Sequence, residues 1–322
     1  MTTAPSSAAL HGDREVLDVI LDRLAGGTAP GARQDDHRVA LVIGGGGMRG
    51  AYVAGMLRAL DRAGLVPAFD EVYGASSGGF SGAAFLTGAA AACAASYPED
   101  LSTDVFINMR RLGSGRPVVA LDHLVHDVLG SRKPLAWHEL GRTPAPLRVV
   151  ATDATDLTAH TLEGMETVAD WECALRASAS IPLLAGPPVS YGGRRWVDGS
   201  VAEPLAMARA LRGGATHVLV LLCRGADDLH HDADAGLSLW AKALDRLVPG
   251  LGTVAQGSRR YGADLRLVTD AAHPDRGPGH LAAIGPVRSA GMGSLCVDPA
   301  RVAEAVRIGD ESADAALVAA AV

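Results

Sequence analysis

The feature that most constrains the fold is a short apolar run, Val39–Ile43, followed by a glycine run and then by a helical pattern. The apolar run is rich in β-branched residues and has no polar position, which is typical of a strand buried on both faces. Residues 51–63 place apolar side chains on one face of a helix. A buried strand, a tight turn and a helix together predict one βα unit of a parallel sheet.

The same alternation continues along most of the chain. Apolar runs predict further strands at residues 69–73, 147–151, 217–223 and 265–268. Helical patterns occur within the alanine-rich residues 81–96 and at residues 171–177, 204–212, 237–247 and 299–321. This order predicts an α/β fold with three layers, α/β/α, around a mainly parallel central sheet.

The 322 residues are enough for one large domain or two small ones. Residues 1–37 are expected to form a polar N-terminal tail with one short helix at 14–24, which ends at Gly26 and Gly27. Proline, glycine and mixed charge make residues 28–36 a linker. Residues 38–322 are then expected to form a single catalytic domain.

The net charge and the apolar segments limit which partners and which location the chain can have. The net charge of −7 argues against a nucleic-acid partner, since such proteins present a basic face. It leaves room for transient contact with a membrane surface through an apolar patch. The residues before 11 lack a secretory signal, and residues 81–96 are too short for a membrane span, so a cytoplasmic location is expected. The oligomeric state is left open.

No metal and no cofactor are expected. The four cysteines are far apart and are expected to be reduced: Cys93, Cys173, Cys223 and Cys296. The acidic stretch at residues 227–234 lacks the glycine and terminal glutamate of an EF-hand. His230 and His231 lie within that stretch, and a solvated loop explains them better than a metal site.

The glycine run has three interpretations. Consecutive glycines let several N–H groups converge beside the positive end of a helix dipole, so an anionic group is expected there. A phosphate-binding loop is excluded because no Gly-Lys-Ser/Thr closes the run. Gly45, Gly47 and Gly50 satisfy a dinucleotide-binding pattern, but Asp70 and Glu71 stand at the start of the next strand, not at its end. The third interpretation is an oxyanion hole for a developing alkoxide.

A second motif favours the oxyanion hole. Gly74-Ala75-Ser76-Ser77-Gly78 is a G-x-S-x-G sequence between a predicted strand and a predicted helix, which is the context of a nucleophile elbow. The glycines at both ends are needed because the turn is too tight for a Cβ. Ser77 is the competing nucleophile, but it is expected to face into the turn. With the glycine run one βα unit upstream, the motif predicts an acyl-transfer nucleophile, Ser76.

The serine needs a base within hydrogen-bond reach. Histidines that follow it lie in strands or loops that do not mark a catalytic base: His217, His230, His231, His273 and His280. A better candidate is Asp198, which follows a predicted hairpin at residues 191–197 and precedes Gly199. An Asp-Gly pair is also an ordinary turn, so the residues alone leave both interpretations open.

The combined motifs resemble the patatin-like phospholipases. These motifs are Gly45-Gly46-Gly47-Met48-Arg49-Gly50, Gly74-Ala75-Ser76-Ser77-Gly78 and Asp198-Gly199-Ser200, with further matches at residues 151–153, 158–162 and 177–182. The resemblance covers residues 39–222 and is loose beyond them. It implies a Ser76–Asp198 dyad without histidine and an oxyanion hole at Gly45, Gly46 and Gly47. It also implies that Arg49 stabilises the glycine loop through hydrogen bonds to carbonyl oxygens.

One position departs from the family pattern. The family usually has glycine or alanine after Asp-Gly, whereas this chain has Ser200. Its hydroxyl could donate a hydrogen bond to Asp198 and lower the basicity of the carboxylate. The resemblance further implies a lipid or acyl-ester substrate, with Phe80, Phe85 and Leu86 as lining or as core.

Three functions remain open at this point. The leading one is a lipid acyl hydrolase. The same site could instead pass the acyl group to an alcohol or thiol, as an acyltransferase does. The third is a non-enzymatic lipid- or partner-binding module with a decayed site, against which the intact serine, aspartate and glycine loop argue.

Overall fold

The computed structural model describes residues 9–225, 239–254, 257–270, 272–273 and 276–321. The strands within these ranges are β1 Leu10–Gly12, β2 Val39–Ile43, β3 Glu71–Ala75, β4 Leu147–Asp153, β5 Ala159–Thr161, β6 Val189–Tyr191, β7 Arg194–Asp198, β8 His217–Leu221 and β9 His280–Ile284. The α-helices are α1 Glu15–Ala25, α2 Gly50–Arg62, α3 Ser77–Leu86, α4 Ala90–Ser96, α5 Val168–Ala179, α6 Met207–Arg212, α7 Leu239–Leu247, α8 Leu251–Val254, α9 Gly257–Thr269 and α10 Pro299–Ala320. Two π-helical segments lie at Tyr97–Leu101 and His123–Arg132.

One sheet organises the chain. Its strand order is β1-β9-β8-β2-β3-β4-β7-β6, and β5 pairs with β4 off this path. The five strands from β9 to β4 are parallel to one another, and the antiparallel pairings are made by β1, β5, β6 and β7. The predicted α/β fold with a mainly parallel central sheet is therefore confirmed.

The central strands are apolar because both of their faces are covered. Every residue of β2, β3 and β8 is buried. Because β2 lies between β3 and β8, its carboxyl end opens at the middle of the sheet edge. In parallel α/β sheets this edge is where ligands bind.

The strand β4 pairs with both β3 and β7, each along a different part of its length. Its residue Val150 pairs with Ala75, the last residue of β3, and its next residue, Ala151, pairs with Asp198, the last residue of β7. A Cβ on Gly199 would lie 2.2 Å from the carbonyl oxygen of Val150 and 3.1 Å from the Cβ of Ala75. The ends of β3 and β7 therefore meet against β4.

The helix after the glycine run is fixed by the C-terminal helix. A Cβ on Gly55 would lie 2.0 Å from the carbonyl oxygen of Val306, and one on Gly309 would lie 1.9 Å from that of Tyr52. Two glycines thus allow α2 and α10 to cross with their backbones in contact. An ion pair of 2.7 Å between Arg58 and Asp310 lies beside this crossing.

The N-terminal segment is packed on the sheet. The strand β1 pairs with β9, and α1 buries Val16, Leu17 and Ile20 completely. The buried guanidinium of Arg23 binds Asp35 at 2.7 Å and Asp70 at 2.8 Å. The described part of the N-terminal segment therefore packs against the sheet.

Two elements predicted near the C-terminus differ from the structure or lie partly outside it. The strand expected at residues 265–268 is wrong, because these residues belong to α9. Their apolar positions continue a helical spacing from Tyr261 to Leu265 and Val268, which a four-residue window does not reveal. Residues 227–234, including His230 and His231, and the first two residues of the helix expected at 237–247 lie outside the described residues.

Candidate active site

Ser76 lies on a strained turn between β3 and α3. Its φ of 56° and ψ of −131° are in a region that side chains other than glycine rarely adopt. Such a conformation costs about 1–3 kcal/mol and persists only where the surroundings impose it. A Cβ at Gly74 would lie 2.5 Å from the carbonyl oxygen of Gly78, and one at Gly78 would lie 2.4 Å from that of Ile43. Both glycines are therefore required by the turn.

The backbone of Ser76 is fixed by Ser178, at the end of α5. The Ser76 N–H donates to the Ser178 hydroxyl at 3.0 Å and to its carbonyl oxygen at 3.1 Å. The Ser178 hydroxyl donates in turn to the carbonyl oxygen of Val150 at 2.6 Å. This chain of hydrogen bonds links the elbow to β4, the strand that pairs with β7 at Asp198.

Asp198 is fully buried at the end of β7. Its N–H donates to the carbonyl oxygen of Ser180 at 3.0 Å, and its carbonyl oxygen accepts a hydrogen bond of 2.9 Å from the Thr152 hydroxyl. One carboxylate oxygen, Oδ1, accepts the Ser200 N–H at 2.8 Å and the Ser200 hydroxyl at 2.5 Å. The other oxygen, Oδ2, is buried and has no hydrogen-bond partner among the described residues.

The electrostatic environment of Asp198 combines two opposing effects. Burial raises the pKa of the carboxyl above its usual range, because a dry site disfavours the charged form. The Ser200 hydroxyl, the Ser76 side chain and the Ser200 N–H partly offset this rise in pKa. The residues next to Asp198 and Ser76 are also close, since a Cβ on Gly199 would lie 3.1 Å from the Cβ of Ala75.

The glycine loop lies beside the elbow. A Cβ on Gly45 would approach the Ser76 Cβ to 3.1 Å, and Gly47 has a positive φ of 58°. The Gly46 N–H donates to the Ser77 hydroxyl at 3.0 Å. Within the described chain, the N–H groups of Gly45 and Gly47 donate no hydrogen bond.

Two further segments support this loop. The Met48 N–H donates to the carbonyl oxygen of Ser294 at 2.9 Å, which anchors the loop to the segment before α10. The Cys223 thiol donates to the carbonyl oxygen of Gly45 at 3.2 Å. Burial raises the pKa of Cys223, so the thiol stays protonated as a donor. The positive charge of Arg49 lowers the pKa of Cys223 and so offsets part of the rise that burial causes.

The neighbouring residues of the two motifs have structural contacts. Ser77 accepts the Gly46 N–H and therefore faces the loop rather than a substrate. A Cβ at Gly50 would lie 2.4 Å from the Tyr97 hydroxyl. Phe85 is fully buried and packs edge-on against Phe69 with the ring centroids 6.1 Å apart, so it belongs to the core.

The structure thus brings together the glycine loop, Ser76 and Asp198, and it separates His217 and His280 from them. His217 and His280 begin β8 and β9, at the opposite edge of the sheet from the elbow. No described histidine forms a hydrogen bond with Ser76 or Asp198. The contacts of Ser178 and Cys223 were not predicted, because the residues next to a buried serine or cysteine in the sequence do not indicate its hydrogen-bond partner.

The family model described as patatin-like phospholipase matches residues 41–211, which is more than half of the chain. The chain belongs to the patatin-like phospholipase family. The match includes the glycine loop, the serine elbow and Asp198.

Individual relatives are distant. The chain is 28% identical over 187 residues to the uncharacterized protein YjjU of Escherichia coli K12, covering 57% of this chain and 51% of YjjU. It therefore spans about half the length of that relative. VipD from Legionella pneumophila is 14% identical, with a TM-score of 0.47, covering 88% of this chain and 67% of VipD. Human GIVD cytosolic phospholipase A2 is 13% identical, with a TM-score of 0.48, covering 98% of this chain and 68% of that phospholipase chain.

Proposed function

We propose that the protein is a lipid acyl hydrolase in which Ser76 is the nucleophile and Asp198 is the base. The observation that carries the proposal is the pairing of β4 with both β3 and β7, since consecutive residues of β4 pair with Ala75, which precedes Ser76, and with Asp198. The unpartnered Oδ2 of Asp198 is the atom suited to accept the hydroxyl proton. Membership of the family supports this activity.

The reaction proceeds in two halves. Ser76 Oγ attacks the ester carbonyl carbon while its proton passes to Asp198 Oδ2. The tetrahedral intermediate collapses, the bond to the leaving alcohol breaks, and the alcohol takes the proton from Asp198. Asp198 then removes a proton from water as the water attacks the acyl-enzyme, and the fatty acid leaves as Ser76 recovers its proton. A raised pKa suits this alternation, because the carboxyl must accept and return a proton near neutral pH.

The oxyanion is held by the glycine loop in this proposal. The N–H groups of Gly45 and Gly47 are without acceptors in the described chain and are the primary donors. Gly46 is the third candidate donor, and its N–H donates to the Ser77 hydroxyl in this structure. Each such donor contributes about 3–4 kcal/mol to transition-state stabilisation.

A surface loop at residues 105–116 supports a lipid substrate presented at a membrane. Three apolar side chains of this loop, Val105, Met109 and Leu112, are each at least half exposed. Arg110 and Arg116 are exposed in the same loop. Apolar side chains beside cationic ones suit contact with an anionic bilayer surface. No helix in the described part of the chain is long and apolar enough to cross a bilayer.

This loop is connected to the active site. Val119, which follows it, forms a β-bridge with Ile107 and donates its N–H to the carbonyl oxygen of Leu184 at 2.9 Å. Leu184 lies four residues after Ser180, whose carbonyl oxygen accepts the Asp198 N–H. Docking of the loop on a bilayer would thus bring the active-site edge of the sheet near the lipid.

The experiment is a panel of p-nitrophenyl esters and phospholipid vesicles, with fatty-acid release measured for wild type and Ser76→Ala. We expect release by wild type and loss of it in Ser76→Ala; equal release by both variants would refute the proposal. Adding an alcohol acceptor distinguishes a transferase, which would form a new ester at the expense of free fatty acid.

The membrane contact is tested by sedimentation with anionic and neutral vesicles. Leu112→Asp should weaken binding to anionic vesicles. The control is Val318→Asp, because Val318 is an exposed apolar residue on α10, away from the loop. Equal loss of binding in both variants, or none in either, would contradict the assignment of this loop.

A further inference from the structure

A cluster of potential metal ligands lies at the opposite edge of the sheet from Ser76. His217 is the first residue of β8, His280 is the first residue of β9, and Glu15 is the first residue of α1. One ligand atom from each of the three side chains lies within 4.8 Å of the other two. The cysteine spacing and the acidic stretch at residues 227–234 predicted no metal site, and neither of them includes these three residues.

The sheet register brings the two imidazoles together. His217 and His280 are directly paired across the parallel strands β8 and β9. Their rings are stacked with an interplanar angle of 17°. The ring centroids are 4.8 Å apart, which is the spacing of adjacent strands. The Oε2 atom of Glu15 lies 3.2 Å from Nδ1 of His280. The Oε1 atom of Glu15 lies 3.8 Å from Nε2 of His217.

These distances fit the ligand spacing of zinc. With zinc bonds of about 2.0–2.1 Å in a tetrahedral site, neighbouring ligand atoms are roughly 3.4 Å apart. The two carboxylate–imidazole distances lie on either side of that value. Two imidazoles and one carboxylate leave a fourth position for water, a common arrangement in zinc sites with three protein ligands.

One ring nitrogen of His217 has a hydrogen-bond partner and the other has none among the described residues. The Thr216 hydroxyl lies 2.9 Å from Nδ1 of His217, and it also accepts the Arg38 N–H. The Nε2 atom is buried without a hydrogen-bond partner in the described part of the chain.

A buried polar atom without a partner is unfavourable, and a cation bound between Nε2 of His217 and the Glu15 carboxylate, 3.8 Å away, would give it one. A neutral imidazole is the form that binds metal. Asp13, also near His280, is already bound by the Arg276 guanidinium and the Leu281 N–H.

We propose that Glu15, His217 and His280 bind one divalent transition-metal ion of the zinc type. The ion would link α1 to the amino ends of β8 and β9, and so tie the N-terminal segment to the sheet. A second acidic cluster, formed by Asp153, Asp156 and His160, differs from it. There the side chains already have partners in Thr158, Thr155 and Arg194.

The test is titration of the EDTA-treated full chain with Zn²⁺ by calorimetry, with Co²⁺ absorption as a report of coordination. We expect one ion per chain and a thermal midpoint that rises with Zn²⁺. Glu15→Gln and His280→Gln should each weaken Zn²⁺ binding by at least about 10-fold. His160→Gln, in the second cluster, should bind as wild type does.

These measurements report Zn²⁺ binding and do not depend on catalytic activity. Absence of Zn²⁺ binding by wild type, or equal binding by wild type and Glu15→Gln, would overturn the site. Glu15 is exposed, so its substitution leaves the core intact and remains informative even if His280→Gln fails to fold. Labelling of Ser76 should be unchanged in all variants, since the cluster lies at the other edge of the sheet.

Discussion

Replacing Gly199 with alanine should separate the two catalytic groups. Gly199 follows Asp198, and its φ lies outside the left-handed region, so alanine can adopt its backbone conformation. The added Cβ would nevertheless lie 2.2 Å from the carbonyl oxygen of Val150 and 2.7 Å from its carbonyl carbon. Both obstructing atoms belong to the backbone and cannot rotate away.

The magnitude follows from this overlap. Ordinary contact begins at 3.4 Å, so the strand ends must move apart by about 1 Å. A displacement of about 1 Å between reacting groups costs about 100-fold in rate. Overpacking of this kind also destabilises the fold by about 1–3 kcal/mol.

The assay is kcat/KM for a p-nitrophenyl ester, together with urea denaturation. The matched control is Gly262→Ala in α9, where an added Cβ has no neighbour within 4 Å and the φ is not left-handed. We expect Gly199→Ala to lose activity while Gly262→Ala keeps it. Wild-type activity and stability in Gly199→Ala would refute the close packing of Gly199 against β4.

Three further predictions concern the hydrogen bonds and strain around the elbow. Ser200→Ala removes a donor to the charged form of Asp198, so the pKa of Asp198 rises further and the acidic limb of the kcat/KM profile moves to higher pH, whereas the exposed Ser190→Ala leaves the profile unchanged. An unshifted limb in Ser200→Ala would contradict this effect. Ser178→Ala removes a buried hydroxyl donor from Val150 and should lower the free energy of unfolding by about 1–3 kcal/mol in urea titrations, and a smaller change would mean that the bond is replaced. Ser76→Gly should be more stable than Ser76→Ala by about 1–2 kcal/mol in thermal melts, because only glycine relieves the positive φ; equal stability would show that the turn is unstrained.

Local patterns predicted the parts of the fold that have local causes. The strand β2 was predicted at its observed bounds, because a run of apolar β-branched residues that stops at a glycine run is typical of a buried strand ending in a turn. The serine elbow was predicted because the strand, the turn and the helix are contiguous in sequence. Both features are determined within about ten residues of chain.

Long-range register was not accessible from the sequence. The contact between β7 and the end of β3 depends on β4 pairing with both, and no local pattern specifies that register. The strand β9 is His-Leu-Ala-Ala-Ile, and its alanines weaken the strand signal although most of the strand is buried. The donation of the Gly46 N–H to Ser77 likewise appears only in three dimensions.

The central claim is that Ser76 is acylated with Asp198 as its base, and fluorophosphonate labelling followed by peptide mass spectrometry tests it most directly. Wild type should carry one label, on the peptide that contains Ser76, and Ser76→Ala should carry none. Asp198→Asn should label slower by about 10²–10⁴-fold, the usual contribution of a general base. Equal labelling of wild type and Ser76→Ala, or labelling of Asp198→Asn at the wild-type rate, would contradict the account.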